Sequence, residues 1–171
     1  TNKNGGPSLL QFSNKQGDVL SQMVAFLVKS LNELNILKGN ELAVLTPYIE
    51  TLTYLQQNLK SKTNSRNYLI ESVDRVQGLD VDYCFYVIPK SSSFSFNLNR
   101  FNVAVSRAKK ATYILVEQDF DRFINLPNEV GNYLSKLRNE FAFTVNEISG
   151  EITKTAQNHT KVNISKEKSE A

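Results

Sequence analysis

NRFNVAVSRAKKATYILV, residues 99–116, is the stretch on which the fold turns. Its first part carries small and apolar residues at helical spacing, and its continuation, ATYILVE over 111–117, is a nearly unbroken apolar run of strand length. The spacing predicts a helix over 98–110 followed by a strand over 111–117. Seven residues advance a helix by about 700°, about 20° short of two turns. On such a helix Arg100 and Arg107 share one stripe roughly 10 Å apart, while Phe101, Ala104, Val105 and Ala108 face inward. Two guanidiniums on one edge suit either solvated ion pairs or a bound anion, and the pattern alone leaves both open.

The same alternation extends in both directions. SLLQFS (8–13) reads as a strand, and GDVLSQMVAFLVKSLNELN (17–35) places Leu20, Met23, Val24, Leu27, Leu31 and Leu34 at helical spacing behind Asp18 as N-cap. ELAVLTP (41–47) is a buried strand. YIETLTYLQQNLK (48–60) repeats Tyr48, Leu52, Leu55 and Leu59 on one face and ends in the polar turn SKTNSRN. NYLIESV (67–73) and DYCFYVIP (82–89) are two more strands, with the loop DRVQGLDV between them. SSSFSFNL (91–98) is a loop leading into the helix at 98. Beyond the strand at 111–117, DFDRFIN and NEVGNYLSKLRNEF are helical pieces, the second with Val130, Tyr133, Leu134 and Leu137 as its buried stripe. The order βαβαββαβα, with strands that are apolar on both sides, predicts an α/β domain whose mostly parallel sheet is covered on both faces. In such sheets function collects at the carboxyl ends of the strands. That rule points to TPY after the second strand, to DRVQGLD after the third, and to the helix before ATYILVE.

Composition sets wide bounds. With 171 residues, 40% of them hydrophobic, the chain can bury roughly 70% of its unfolded surface. A net charge of +3 permits an anionic partner without demanding one. The single cysteine, Cys84, excludes an internal disulfide framework and, in its apolar run, reads as an inert core thiol of a reducing, cytoplasmic compartment. No apolar stretch is long enough to span a bilayer, and TNKNGGPSLL reads as a cut end, not a secretory signal. Residues 1–7 are expected to be a linker, 8–142 the domain, and 143–171 a partly disordered extension with a hairpin or terminal strand at its start. His159 has no second ligand beside it for a metal site.

AVLTPY, VDRVQGLDVDY and NRFNVAVSRAKKATYILV, in that order and separation, resemble motifs IV, V and VI of the second RecA-like domain of superfamily 1 helicases, in the branch that includes the nonsense-mediated-decay helicase. The motifs cover residues 41–117 and the pattern of elements 8–140. The resemblance implies a three-layer α/β/α RecA-like fold, a lobe of an ATP-dependent DNA or RNA helicase, ATP with Mg2+ as cofactor, and single-stranded nucleic acid and a preceding RecA-like ATPase domain as partners. It implies that Arg107 is the catalytic arginine reaching the γ-phosphate across an interdomain cleft, an effect of roughly a thousandfold or more for such arginines. Arg100 stands at the same cleft, either as a second phosphate or nucleotide contact or as the partner of a motif V carboxylate. Tyr48 matches the residue that packs on adenine, its alternative being a core aromatic at a helix start. Gln77, Gly78 and Asp80 match nucleotide-side positions of motif V. Thr46, Ser72 and Arg75 match contacts to the nucleic-acid backbone, and Phe94 and Phe96 are candidates either to stack on bases or to pin their loop to the core.

Three departures qualify that resemblance. Asp80 stands where the family usually has a glutamate, one methylene longer. After TPY the chain runs IETLTYLQQ, without the arginine that usually follows there. No GxxxxGK[ST] phosphate loop or magnesium carboxylate motif is present, so the sequence predicts one lobe of a longer ATPase that is inactive alone. The rival expectation is a RecA-like nucleic-acid-binding or regulatory module that no longer turns over ATP.

Overall fold

The computed structural model describes residues 7–13, 17–35, 41–60, 68–76, 78–90, 97–118, 120, 128–140, 142–145 and 152–154. Strand β1 (Pro7–Phe12) leads into helix α1 (Val19–Asn35), then β2 (Leu42–Thr46), α2 (Ile49–Lys60) and β3 (Tyr68–Ser72). A single 3₁₀ turn, Val73–Arg75, precedes β4 (Val81–Ile88), α3 (Leu98–Val105), β5 (Ala108–Glu117) and α4 (Asn128–Glu140). The pair β6 (Ala142–Val145) and β7 (Ile152–Lys154) follows.

These strands form one sheet in the order β3-β2-β4-β5-β1-β6-β7. Every pairing is parallel except β6 with β7. Each face buries its own core. On one, Met23, Leu27 and Leu31 of α1 and Leu52, Leu55 and Leu59 of α2 pack against Phe12, Val44, Phe85 and Leu115. On the other, Phe101 and Ala104 of α3 and Val130, Leu134 and Leu137 of α4 cover Leu45, Cys84, Tyr86 and Ile114. The architecture is therefore the expected three-layer α/β/α arrangement on a mostly parallel sheet. Burying a leucine such as Leu27 contributes about 1.5–3 kcal/mol relative to exposure.

Local signals were sound at the start of α1, where the Asp18 carboxylate accepts from Ser21 N at 3.1 Å and from its hydroxyl at 2.7 Å. They misplace one boundary that matters. The helix predicted over 98–110 stops at Val105, Ser106 leaves helical geometry at φ −103°, ψ 4°, and β5 begins at Ala108. Pairing overrides helix propensity here. Ala108 lies opposite Val81, and Val81 N donates to Arg107 O at 3.0 Å, so this segment is drawn onto the edge of β4. Arg107 is consequently in a bend, not on the helix, and shares no helical stripe with Arg100.

The start of the C-terminal segment forms the expected hairpin, and its first strand also extends the sheet beside β1, with Leu9 opposite Ala142. The helical piece expected over DFDRFIN, residues 119–125, falls almost wholly outside the described residues, as does the tail from 155. Among the described residues no helix is long and apolar enough to cross a membrane.

Candidate functional site

The loop between β3 and β4 is built from its sequence outward. Ser72, 4% exposed, sits in extended geometry and its hydroxyl accepts from Asp74 N at 3.3 Å, which caps the 3₁₀ turn. Val73 and Val76 then enter the core, leaving Asp74 and Arg75 exposed. Leu79 N donates to Val76 O at 3.2 Å, closing a four-residue turn whose third position is Gly78 at φ +78°. A side chain at that φ is strained, which is why the turn takes glycine. A Cβ there would meet nothing within 4 Å, so within this chain the glycine serves backbone conformation and not close packing.

Helix α3 lies along this loop. Asn97 caps it, accepting from Asn99 N at 3.1 Å and Arg100 N at 3.3 Å. Arg100 Nε donates to both carboxylate oxygens of Asp74, at 3.0 and 3.4 Å. Of the two roles expected for Arg100, the partner of a motif V carboxylate is the one occupied in this structure. The two side chains are 24% and 50% exposed, and surface pairs contribute only about 0–1 kcal/mol, so the contact is a geometric constraint more than a source of stability. Beneath it lies the fully buried Tyr86, whose hydroxyl pKa is pushed up by burial and further by Tyr48, against the pull of the Arg100 charge.

Arg107 differs in its environment. NH1 donates to Val76 O at 3.4 Å and NH2 to the Ser106 hydroxyl at 2.9 Å, both neutral acceptors. Its Nε is buried without a hydrogen-bond partner. Among the described residues it makes no ion pair. Its charge acts inward on Cys84, whose thiol burial pushes up to about 12 and Arg107 pulls back only partly. That thiol touches Ala104 O at 3.7 Å and is the inert core group expected.

The predicted residues split between the two ends of the sheet. Thr46, Tyr48, Ser72, Asp74 and Arg100 gather at the carboxyl ends of β2 and β3. Tyr48, partly buried against the core, donates from its hydroxyl to Lys90 O at 2.7 Å, and its N–H reaches Thr46 Oγ1 at 3.4 Å. Asp80 and Arg107, by contrast, flank the first residues of β4 and β5, the amino end, roughly 23 Å along an eight-residue strand. The expectation that all three motifs meet at the carboxyl ends is therefore corrected. The parallel β3-to-β4 crossover carries the 73–80 loop back toward the amino ends, and α3 separately returns the chain from the carboxyl end of β4 to the amino end of β5, where Arg107 stands. Asp80 faces Lys109 at 3.9 Å with both side chains exposed. Thr46 is wholly buried, whereas the Arg75 side chain is 71% exposed and only loosely held by Glu71 at 3.7 Å. Gln77, Phe94 and Phe96 lie outside the described residues. Sequence reasoning left open which carboxylate meets Arg100 and overlooked Tyr86; the alternation in DYCFYVIP, which turns Cys84, Tyr86 and Ile88 to the α3 face, was the available signal.

A family model described as an AAA domain matches residues 8–119, well over half of the chain. The chain belongs to that family. It is a helicase-type RecA-like lobe, as motifs IV to VI indicate. Among its relatives, the replicase polyprotein 1ab of Bat coronavirus 512/2005 is 41% identical over 58 residues, 29% of this chain and 1% of that protein. The replicase polyprotein 1ab of Alphamesonivirus 1 is 32% identical over 75 residues, 44% of this chain and 2% of that protein. The chain thus matches only 1–2% of the length of these curated relatives. A crystal structure described as the C-terminal domain of a possible DNA helicase from Lactobacillus plantarum WCFS1 is similar with a TM-score of 0.49 and 12% identity, over 80% of this chain and 84% of that one.

Proposed function

We propose that this lobe is the second motor lobe of an ATP-dependent nucleic-acid helicase or translocase, and that Arg107 supplies positive charge to a triphosphate held by the preceding RecA-like lobe of the same polypeptide. One observation carries this reading: of the two arginines that contact the 73–80 loop from α3 and the bend after it, Arg100 is balanced by a carboxylate and Arg107, among the described residues, meets only neutral oxygens. Arginine presents five N–H donors, and the two contacts seen here leave donors at the tip for an anion. A guanidinium already in place when charge shifts on the transferring phosphoryl group stabilises that charge without reorganisation. The phosphate loop and the magnesium ligands belong to the preceding lobe, where ATP with Mg2+ is mainly bound. In this lobe Asp80, which shares the amino end of the sheet with Arg107, is the further nucleotide-side candidate, whereas Tyr48 stands at the carboxyl end of β2; Arg75, the exposed cation of the 73–80 loop, is the main contact to a single-stranded DNA or RNA backbone. The reading places the protein in the cytoplasm.

A non-catalytic RecA-like binding module is the second reading, and the exposed pairing of Asp80 with Lys109 is the observation that favours it. The two separate on ATP hydrolysis by the full-length polypeptide with and without single strands. The motor reading expects turnover stimulated by single strands and removed in Arg107→Ala. Nucleic-acid binding without turnover in the wild type would establish the module instead.

A further inference from the structure

The two arginines on either side of Ser106 act on one short segment. Arg100 holds Asp74, and Arg107 holds the carbonyl of Val76, two residues further on. What lies between them is stiff. Ser72 caps the 3₁₀ turn through Asp74 N, Val73 and Val76 are buried at 2% and 4% exposure, and Val76 O also accepts from Leu79 N in the glycine turn. Among the described residues of this segment, Asp74 is the one tied both to the cap, through its N–H, and to α3, through its carboxylate. The Val76 carbonyl is in turn the acceptor that locates NH1 of Arg107.

From this chain of contacts we infer that Asp74 is a positioning residue for Arg107. By fixing the turn to the first turn of α3 through Arg100, it sets where the Val76 carbonyl stands and so where the Arg107 guanidinium points. The inference rests on the reading of Arg107 given above and deepens it. Asp74 touches no substrate; it acts through Arg107. The Arg107 bond to Val76 O is long, 3.4 Å, and made to a neutral oxygen, so it orients the fork without competing strongly with a phosphate. Loss of the carboxylate would let the turn tilt and the Val76 peptide plane rotate while the side chains of Val73 and Val76 stay in the core. Small misplacement of a catalytic group is enough to reduce rate substantially.

The test is steady-state ATP hydrolysis by the full-length polypeptide carrying Asp74→Asn, Asp74→Glu, Arg107→Ala and the Asp74→Asn/Arg107→Ala double change, with thermal unfolding of each. The expected result for Asp74→Asn is a fall in kcat of about tenfold with KM for ATP within about twofold, in the usual range for coupling between sites. Asp74→Glu, which keeps a carboxylate for Arg100, is expected to recover most of the rate. In the Arg107→Ala background Asp74→Asn is expected to lower the rate no further, because its effect passes through the missing side chain. A merely structural aspartate would give additive losses, a lowered unfolding temperature and no recovery by glutamate, and that outcome overturns the inference. So does an unchanged kcat in Asp74→Asn. If the wild type turns over ATP and Arg107→Ala matches it, the reading of Arg107 falls and takes the inference with it; if Arg107→Ala is inactive and Asp74→Asn is normal, only the inference falls.

Discussion

Arg100 and Arg107 belong to one motif, yet their surroundings differ in kind. Arg100 stands in the first turn of α3, and its Nε lies against both oxygens of a carboxylate. Arg107 stands in the bend between α3 and β5, with a buried Nε and, among the described residues, only neutral acceptors at its tip. A charge already paired with a carboxylate gains less from a new anion than one that is not, because the pair must be broken or shared. On the reading proposed for Arg107, the difference divides two tasks: one cation holds the 73–80 loop, and the other meets the partner anion.

The largest expected effect comes from removing the uncompensated charge. In the full-length polypeptide Arg107→Ala should lower ATP turnover by roughly a thousandfold, and Arg107→Lys should recover only a small part, because an ammonium lacks the fork. A comparable rate in wild type and variant would erase the contrast. Arg100→Ala should cost about tenfold, in line with a coupling role. A loss as deep as that of Arg107→Ala would mean that both arginines act on the nucleotide. Gly78→Ala tests the loop itself. With φ at +78° and open space around the added methyl, it should destabilise by about 1 kcal/mol through backbone strain alone, measurable by denaturant unfolding. A neutral result would show that the turn relaxes at no cost.

Cys84 yields an effect confined to alkaline pH that reports on the core under α3. Burial holds its folded pKa near 12 against an ordinary value of 9.0, so the neutral thiol is favoured in the folded state. The sign follows from proton uptake: the folded form binds the proton more tightly, so this contribution is full below pH 9 and is lost as pH rises toward 12. Stability should therefore decline above pH 9 by up to about 1.4 kcal/mol per unit from this group, and Cys84→Ala should flatten that part of the curve. Identical slopes in the two proteins would remove the thiol from the argument. Smallest of all, breaking the exposed Lys109 and Asp80 contact with Lys109→Ala should change stability by less than about 1 kcal/mol.

Much of the layout was legible in the chain because apolar periodicity is strong where both faces of a sheet are covered. Met23, Leu27 and Leu31 on α1, and Val44, Phe85 and Leu115 on the strands, are buried as their spacing requires. The capped start of α1 was legible for the same local reason. What was not legible depends on pairing across distant segments. The residues NVAVSRAKK carry helix-compatible side chains throughout, and nothing local tells that Ala108 will be taken by Val81 of another strand. That single competition moved Arg107 off the helix; its place at the amino end of the sheet follows from the parallel pairing of β4 with β5, which obliges α3 to run back to where β5 begins. Likewise Asp74 and Arg100 are 26 positions apart, and only the crossover geometry selects this carboxylate over Asp80 or Asp82. Asp82, indeed, is used elsewhere, accepting from Glu41 N at 2.8 Å at the start of β4.

The central claim is that the charge of Arg107 is spent on the transition state of phosphoryl transfer and not on ground-state binding. The most direct measurement is the affinity of the full-length polypeptide for ADP with aluminium fluoride, a mimic of that transition state, set beside its affinity for ADP alone. The expected result is that Arg107→Ala weakens binding of the mimic by roughly a thousandfold while ADP binding stays within a few-fold of wild type. Equal losses for both ligands, or no loss for either, would contradict it.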